Sequence, residues 1–249
     1  MAGALKLADI PPERLAALNG GAPPSNLTEC LAVDFAVLME GVLGLSPEAV
    51  ADMRDAASLG ITKRMAIAAD IAAAHGVPVA DLAAHPSDSL RGWACYAIAA
   101  EGGPLEAQLT RLRPLADDPH FGVREWAWLA LRPALSAQIE TAIALLTPWT
   151  ADAAPNIRRF ASEATRPRGV WSAHIAKLKE TPELGLPLLE PLKADPERYV
   201  QDSVANWLND AAKTRPDWVR ALCAEWADAS DSKATAYICK RAQRSLKDR

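Results

Sequence analysis

Long apolar runs are missing from this chain, and so are the common signatures of metal, nucleotide and nucleophile chemistry. Half of the residues are apolar, yet no run approaches the roughly 20 consecutive apolar residues that a membrane span needs. The opening stretch, MAGALKLADIPPERLAALNGG, has no cleavable apolar core, which argues against a secretory signal. Only four cysteines occur, Cys30, Cys95, Cys223 and Cys239, far apart and without a CxxC pair. They read as buried free thiols in a reducing cytosol rather than as a disulfide frame or a zinc site. His75, His85, His120 and His174 form no HExxH and no His/Cys cluster, so no metal is expected. GxxxxGK and GxGxxG loops are absent, and no Ser or Cys stands in a nucleophile-elbow context. Nucleotide hydrolysis, dinucleotide binding and elbow-type nucleophilic catalysis fall away.

Positive charge is also scarce overall, with a net of −4, but the deficit is uneven. Residues 1–110 carry 6 Lys and Arg against 13 Asp and Glu, a net of −7, whereas residues 111–249 carry 21 against 18, a net of +3. The basic charge sits in the C-terminal half, where one face can be electropositive and accept a polyanion. A chain of 249 residues can bury a sizeable core, as one long domain or one repeat array.

What is present is helix. Proline and glycine punctuate the chain every one or two helix lengths, and the segments between are rich in Ala and Leu with apolar spacings of three and four. The chain therefore reads as all-α, with short loops. A repeat lies beneath the pattern. LRGWACYAI from Leu90, VREWAWLAL from Val123, IRRFASEAT from Ile157, VQDSVANWL from Val200 and ICKRAQRSL from Ile238 each begin on an aliphatic residue. Each has Ala or Val four positions later: Ala94, Ala127, Ala161, Val204 and Ala242. The variable spacing, with two helices per unit, suits a HEAT-like solenoid better than stricter repeat families. Such a solenoid presents a concave face to an extended partner. DDP before Val123 and ADP before Val200 read as turns that start a second helix. The expected organisation is a single domain over residues 1–249, with a helical cap to residue 80 and repeats over 81–249.

Advancing about 100° per residue from each aliphatic start places the packed stripe near about 40°. On that wheel Glu125, Glu163 and Asp210 fall at about 200°, 240° and 280°, so three consecutive repeats send a carboxylate to one flank away from the core. Arg159 and Arg166 share the flank. Paired charges on a solvated helix face account for this equally well. Trp93, Trp126 and Trp207 read as packing between repeats. Trp171 follows the TRPRG break and is expected at a helix start beside Glu163, partly exposed.

Several ordered motifs resemble one family. They are RLAALNGGAPPSNLTECLAVDF (residues 14–35), LGITKRM (59–65), VREWAW (123–128), RRFASEATRPRGVW (158–171) and DPERYVQDSVANWLNDAAKTRPDWV (195–219). The chain is similar to the AlkC branch of the bacterial AlkC/AlkD alkylpurine DNA glycosylases, in the short form without a C-terminal immunoglobulin-like domain. The resemblance implies a HEAT-like fold that binds alkylated double-stranded DNA and excises N3-methylated bases, 3-methyladenine or 3-methylcytosine. It implies no cofactor, no metal, no membrane partner, a monomer, and a place in the bacterial cytoplasm.

Matched motif by motif, the resemblance puts functional carboxylates at Glu163 and Asp210, an aromatic at Trp171 and a further acid at Glu125. An N3-alkylated adenine is already cationic and a good leaving group. What remains is to stabilise an oxocarbenium-like sugar and supply water, tasks that suit fixed carboxylates. Asp210 is expected to stabilise the sugar and orient the water, Glu163 to add negative potential, and Trp171 to offer its π face. Arg158, Arg159, Arg166 and Arg168 are expected to meet DNA phosphates and keep the acids ionised, with Lys193, Arg198, Lys240, Arg241 and Arg244 extending the track. A non-catalytic HEAT-like adaptor for a protein or an unusual DNA structure stays open beside this reading, since solenoids are often scaffolds. The joint presence of Glu163, Trp171 and Asp210 is what separates the two.

Overall fold

The computed structural model describes residues 6–246; residues 1–5 and 247–249 of the expected domain lie outside them. Among the described residues there are sixteen α-helices, six short 3-10 segments and no strand. In chain order the helices are α1 (Pro12–Asn19), α2 (Leu27–Ala32), α3 (Phe35–Leu43), α4 (Ala51–Asp55), α5 (Ile61–Ala74), α6 (Val79–Ala83), α7 (Asp88–Glu101) and α8 (Leu105–Ala116). They continue with α9 (Phe121–Ala137), α10 (Ile139–Leu146), α11 (Pro155–Glu163), α12 (Ala176–Glu180), α13 (Leu186–Leu189), α14 (Arg198–Ala212), α15 (Pro216–Asp228) and α16 (Lys233–Ala242).

Local chemistry sets several of these boundaries. Asn26 and Asp34 accept from the Glu29 amide at 3.0 Å and the Ala36 amide at 3.0 Å, capping α2 and α3. Ser232 does the same for α16, accepting from the Ala234 amide at 3.2 Å. Pro155 and Pro216 open α11 and α15, where an amide donor would have no intrahelical partner.

Two units are distinguishable: residues 6–102 with 118–130, and residues 103–117 with 131–246. In the first, α7 packs on α5 and α6, and Trp93 meets Phe35 edge-on at 5.3 Å. In the second, α14 packs against both α11 and α16. Trp207 is fully buried there, donating to Thr165 Oγ1 at 3.3 Å. Its ring lies over Gly185 so closely that a methyl group there would sit 2.4 Å from it. Trp93, Trp126 and Trp207 are all packing residues, as expected.

The repeat is real at the level of single side chains. Leu90, Val123, Ile157, Val200 and Ile238, and with them Ala94, Ala127, Ala161, Val204 and Ala242, are all 0 % exposed. The chain forms helical repeats of the HEAT-like kind, with second helices α7, α9, α11, α14 and α16. The four cysteines are buried free thiols.

The turns ahead of these helices share a device. Asp118, Asp152 and Asp195 stand five residues before an aliphatic start and accept from the amide two residues on, at 2.7, 2.9 and 2.9 Å. The residue just after each start reaches back to the same turn. Arg91, Arg124, Arg158 and Gln201 donate to the carbonyls of His85, Asp118, Asp152 and Asp195 at 2.8, 2.7, 2.9 and 2.7 Å. Arg91 and Arg158 also reach forward, forking onto Asp118 at 2.6 and 3.1 Å and onto Asp195 at 2.6 and 3.1 Å. One guanidinium thereby ties its own turn to the turn of the following repeat.

Candidate active site

Glu163 is the last residue of α11, Arg166 lies three positions on in the turn, and Asp210 stands near the end of α14. Arg166 Nη1 donates to Glu163 Oε1 at 2.8 Å, while its Nε and Nη2 lie 3.0 and 2.9 Å from Asp210 Oδ2. One guanidinium therefore holds both carboxylates, and it does so away from water: Glu163 is 4 % exposed, Asp210 3 % and Arg166 9 %. This corrects the wheel, which sets the two acids on a solvated flank. In the second unit the flanks of α11 and α14 face the next element instead. Arg159 stacks on Tyr199 at 4.2 Å, and Glu163 Oε2 accepts from Ser203 Oγ at 2.7 Å, both across α11 and α14. Likewise Asp202 of α14 accepts from Tyr237 of α16 at 2.5 Å, and Asn206 of α14 from Arg244, just beyond α16, at 2.8 Å.

Burial pushes the Glu163 carboxyl toward protonation, but the charges of Arg159 and Arg166 and the hydrogen bonds from Ser203 and Arg166 outweigh it. The group is held below the usual Glu range and is ionised. Burial likewise opposes the charge on Arg166, and Glu163 and Asp210 overcome it, raising its pKa. Asp210 Oδ1 faces the exposed Lys213, whose Nζ lies 3.3 Å away. The site is thus a pair of buried carboxylates joined by one guanidinium, with one Asp210 oxygen turned toward a solvent-exposed cation.

Trp171 is 45 % exposed, as expected of a partly open indole, but it stands in a turn and not at a helix start, since α12 begins only at Ala176. Its φ of 57° makes it the single non-glycine residue in the left-handed region among those described. Glu125 belongs to the first unit, where its carboxylate accepts from Trp128 Nε1 at 2.8 Å.

The expected phosphate ligands divide. Arg158 is spent on the inter-repeat tie to Asp195, and Arg166 on the carboxylate pair. Arg159 lies 3.7 Å from Glu163 Oε2. Lys193 meets Glu190 at 2.9 Å. Arg168 is half-buried in the turn. Arg198, stacked 3.5 Å above Tyr237, is exposed, as are Lys240 and Arg241, the latter 3.3 Å from Asp202.

Two contributors escaped the sequence reading. Ser203 is buried and shares a hydrogen bond with Ser162 Oγ at 2.8 Å while holding Glu163. Arg132, on α9, is 2 % exposed and donates to the carbonyls of Ala164 at 3.0 Å, Arg166 at 2.5 Å and Ala173 at 3.3 Å. Burial above all, and then the charge of Arg166, bring its pKa down to about 10. The signal for Arg132 was a lone cation inside the apolar run LALRPAL.

The chain matches AlkC from Pseudomonas fluorescens, an alkylpurine DNA glycosylase solved bound to DNA containing an abasic site analog. The TM-score is 0.67 at 26 % identity, over 98 % of this chain and 65 % of that one. It matches AlkD2 from Streptococcus mutans with a TM-score of 0.58 at 20 % identity, over 84 % of this chain and 96 % of that one, a likeness of fold. Over 117 residues it is 41 % identical to the uncharacterized protein YhaZ of Bacillus subtilis, covering 47 % of this chain and 32 % of YhaZ. The chain therefore spans less than two thirds of the AlkC and YhaZ chains. The stretch from residue 111 to residue 243, which carries Arg132, both carboxylates, Arg166 and Trp171, matches the model of the DNA alkylation repair enzymes, and to that family the chain belongs.

Proposed function

We propose that this chain is a monomeric cytoplasmic DNA N-glycosylase that hydrolyses the N-glycosidic bond of N3-alkylated bases, 3-methyladenine foremost, without a cofactor. The observation that carries the reading is the Asp210–Arg166–Glu163 cluster. A repeat scaffold gains no stability from two buried acids that well-packed apolar residues would not match. A glycosylase has a use for them. The base leaves as a neutral purine once its bond to C1′ breaks, because alkylation has already made it cationic. The sugar left behind is oxocarbenium-like and electron-poor. Asp210 Oδ1, freed when Lys213 swings toward a phosphate, is the group that faces that charge and takes a proton from the attacking water. Glu163, held ionised, adds negative potential behind it. Trp171 offers an indole face to the cationic base. Glu125 enters as a further acid through its place in VREWAW. The exposed cations Arg198, Lys240 and Arg241 supply phosphate contacts, which position the duplex without reading its sequence.

The test is release of 3-methyladenine from methylated duplex DNA at low salt by the wild type and by Asp210→Asn. Loss of at least about 100-fold in the variant, with its helical circular dichroism and cooperative melt intact, supports the assignment. Equal release by both proteins removes Asp210 from the chemistry. No release and no DNA binding by a folded wild type favours the adaptor.

A further inference from the structure

The turn between α11 and α12 holds three things the proposed chemistry uses: Arg166, which grips both carboxylates, Trp171 in its left-handed conformation, and the closure of the chain between them. Thr165 and Arg166 anchor its start, to the Ala161 carbonyl and to the two carboxylates, but further on Arg168 Nε and Ser172 Oγ are buried without hydrogen-bond partners. A backbone bond from the Ile175 amide to the Pro167 carbonyl, at 3.1 Å, spans it.

A side chain from outside does the fastening. Arg132 donates to the carbonyls of Ala164, Arg166 and Ala173, which lie before, at and beyond the carboxylate grip. The turn also presses on the guanidinium face. A Cβ on Gly169 would lie 2.9 Å from Arg132 Cζ and 2.6 Å from Ser172 Oγ, closer than real Cβ atoms come, so any larger residue there displaces the guanidinium or the Ser172 hydroxyl. We infer that Arg132 is the positioning residue of this site: residues 164–173 are wound around its guanidinium, which sets where Arg166 meets Asp210 and Glu163 and where Trp171 stands. A planar fork suits the task, because three carbonyls at different points of a loop need donors in fixed, diverging directions. The catalytic consequence rests on the glycosylase reading above; the winding of the loop does not.

The experiment therefore reads the loop and the chemistry separately. Protein is labelled with 5-fluorotryptophan, and the Trp171 fluorine resonance is assigned by its loss in Trp171→Phe. Arg132→Met keeps the aliphatic stem and removes the donors; Gly169→Ala attacks the same contact from the loop side. Arg91→Met, which breaks a comparable tie in the first unit, serves as the structural control. Expected for both Arg132→Met and Gly169→Ala is a shifted or broadened Trp171 resonance with those of Trp207 and Trp226 in place. Release of 3-methyladenine should lose about 100-fold in kcat, with KM moving less than about threefold. Arg91→Met should lower the melting temperature and leave both the Trp171 resonance and kcat unchanged.

An unmoved Trp171 resonance in Arg132→Met overturns the inference. So does a general collapse of all tryptophan resonances in that variant with none of the local change in Gly169→Ala. If the wild type releases no base, the glycosylase reading fails, and the fluorine spectra still decide what Arg132 does.

Discussion

A buried carboxylate is stable only while its partners are, and Glu163 shows which way that dependence runs with pH. Its folded pKa lies below the unfolded value of about 4.3, because Arg159, Arg166 and Ser203 outweigh the cost of burial. The stability it contributes is therefore full above that unfolded value and is lost as pH falls through the folded one. Replacing it with Gln leaves Arg166 and Arg159 short of a counter-charge in a dry site, which costs about 3–5 kcal/mol. At pH 7 the melting temperature of Glu163→Gln should fall by on the order of 10 °C. Between roughly pH 5 and 3 its melting curve should change less with acidification than that of the wild type. Differential scanning calorimetry across that range tests it; parallel pH dependences for the two proteins would mean that folding leaves the Glu163 pKa unshifted.

Between helices, the same charges become connectors. The sequence reading recovered the helices, the turns at Asp118 and Asp195 and the whole packed stripe, because aliphatic residues at repeat positions 0 and +4 mark a buried face whatever lies opposite. It misplaced the flank, because a wheel drawn on one helix has no knowledge of its neighbour. In the second unit, position +2 of α11 and of α14 meets the residue before the start of the next second helix, as Arg159 meets Tyr199 and Asp202 meets Tyr237. Position +6 of α11, Glu163, meets Ser203. Glu163 and Asp210 were legible as residues but not as a buried pair, since their link, Arg166, lies beyond the end of its helix and outside any periodic pattern. Arg132 stood out only as a lone cation in an apolar run, and its role was not legible because it acts on backbone carbonyls, which no side-chain motif records. The tie between Arg158 and Asp195 belongs to this scale too. Arg158→Met and Asp195→Ala should each destabilise by about 3–5 kcal/mol. The double variant should cost much less than the two together, since both remove one interaction. Chemical denaturation of the four proteins closes the cycle, and additive losses would show that the two side chains act separately.

Over the whole molecule, the charge distribution bears on how the proposed DNA partner would be held. With 13 acids against 6 bases in residues 1–110, the long-range field offers a duplex little general attraction, so on that proposal its affinity comes from cations placed near the site. Those turned to solvent cluster late in the chain: Arg198 and Lys213 on or beside α14, Lys240 and Arg241 on α16, and Arg244 just after it. Arg158 is not among them, because its donors are spent within the fold. Binding to a duplex carrying an abasic-site analogue should therefore weaken steeply with salt, each phosphate contact adding about 0.9 to the slope of log K against log salt. Lys240→Met should remove about one contact from that slope, whereas Arg158→Met should leave the slope unchanged while lowering the melting temperature. Fluorescence anisotropy between roughly 50 and 200 mM salt separates the two. The reverse result, a slope that follows Arg158 and ignores Lys240, would require the tie to Asp195 to open when DNA binds, making the repeat junction itself part of the grip.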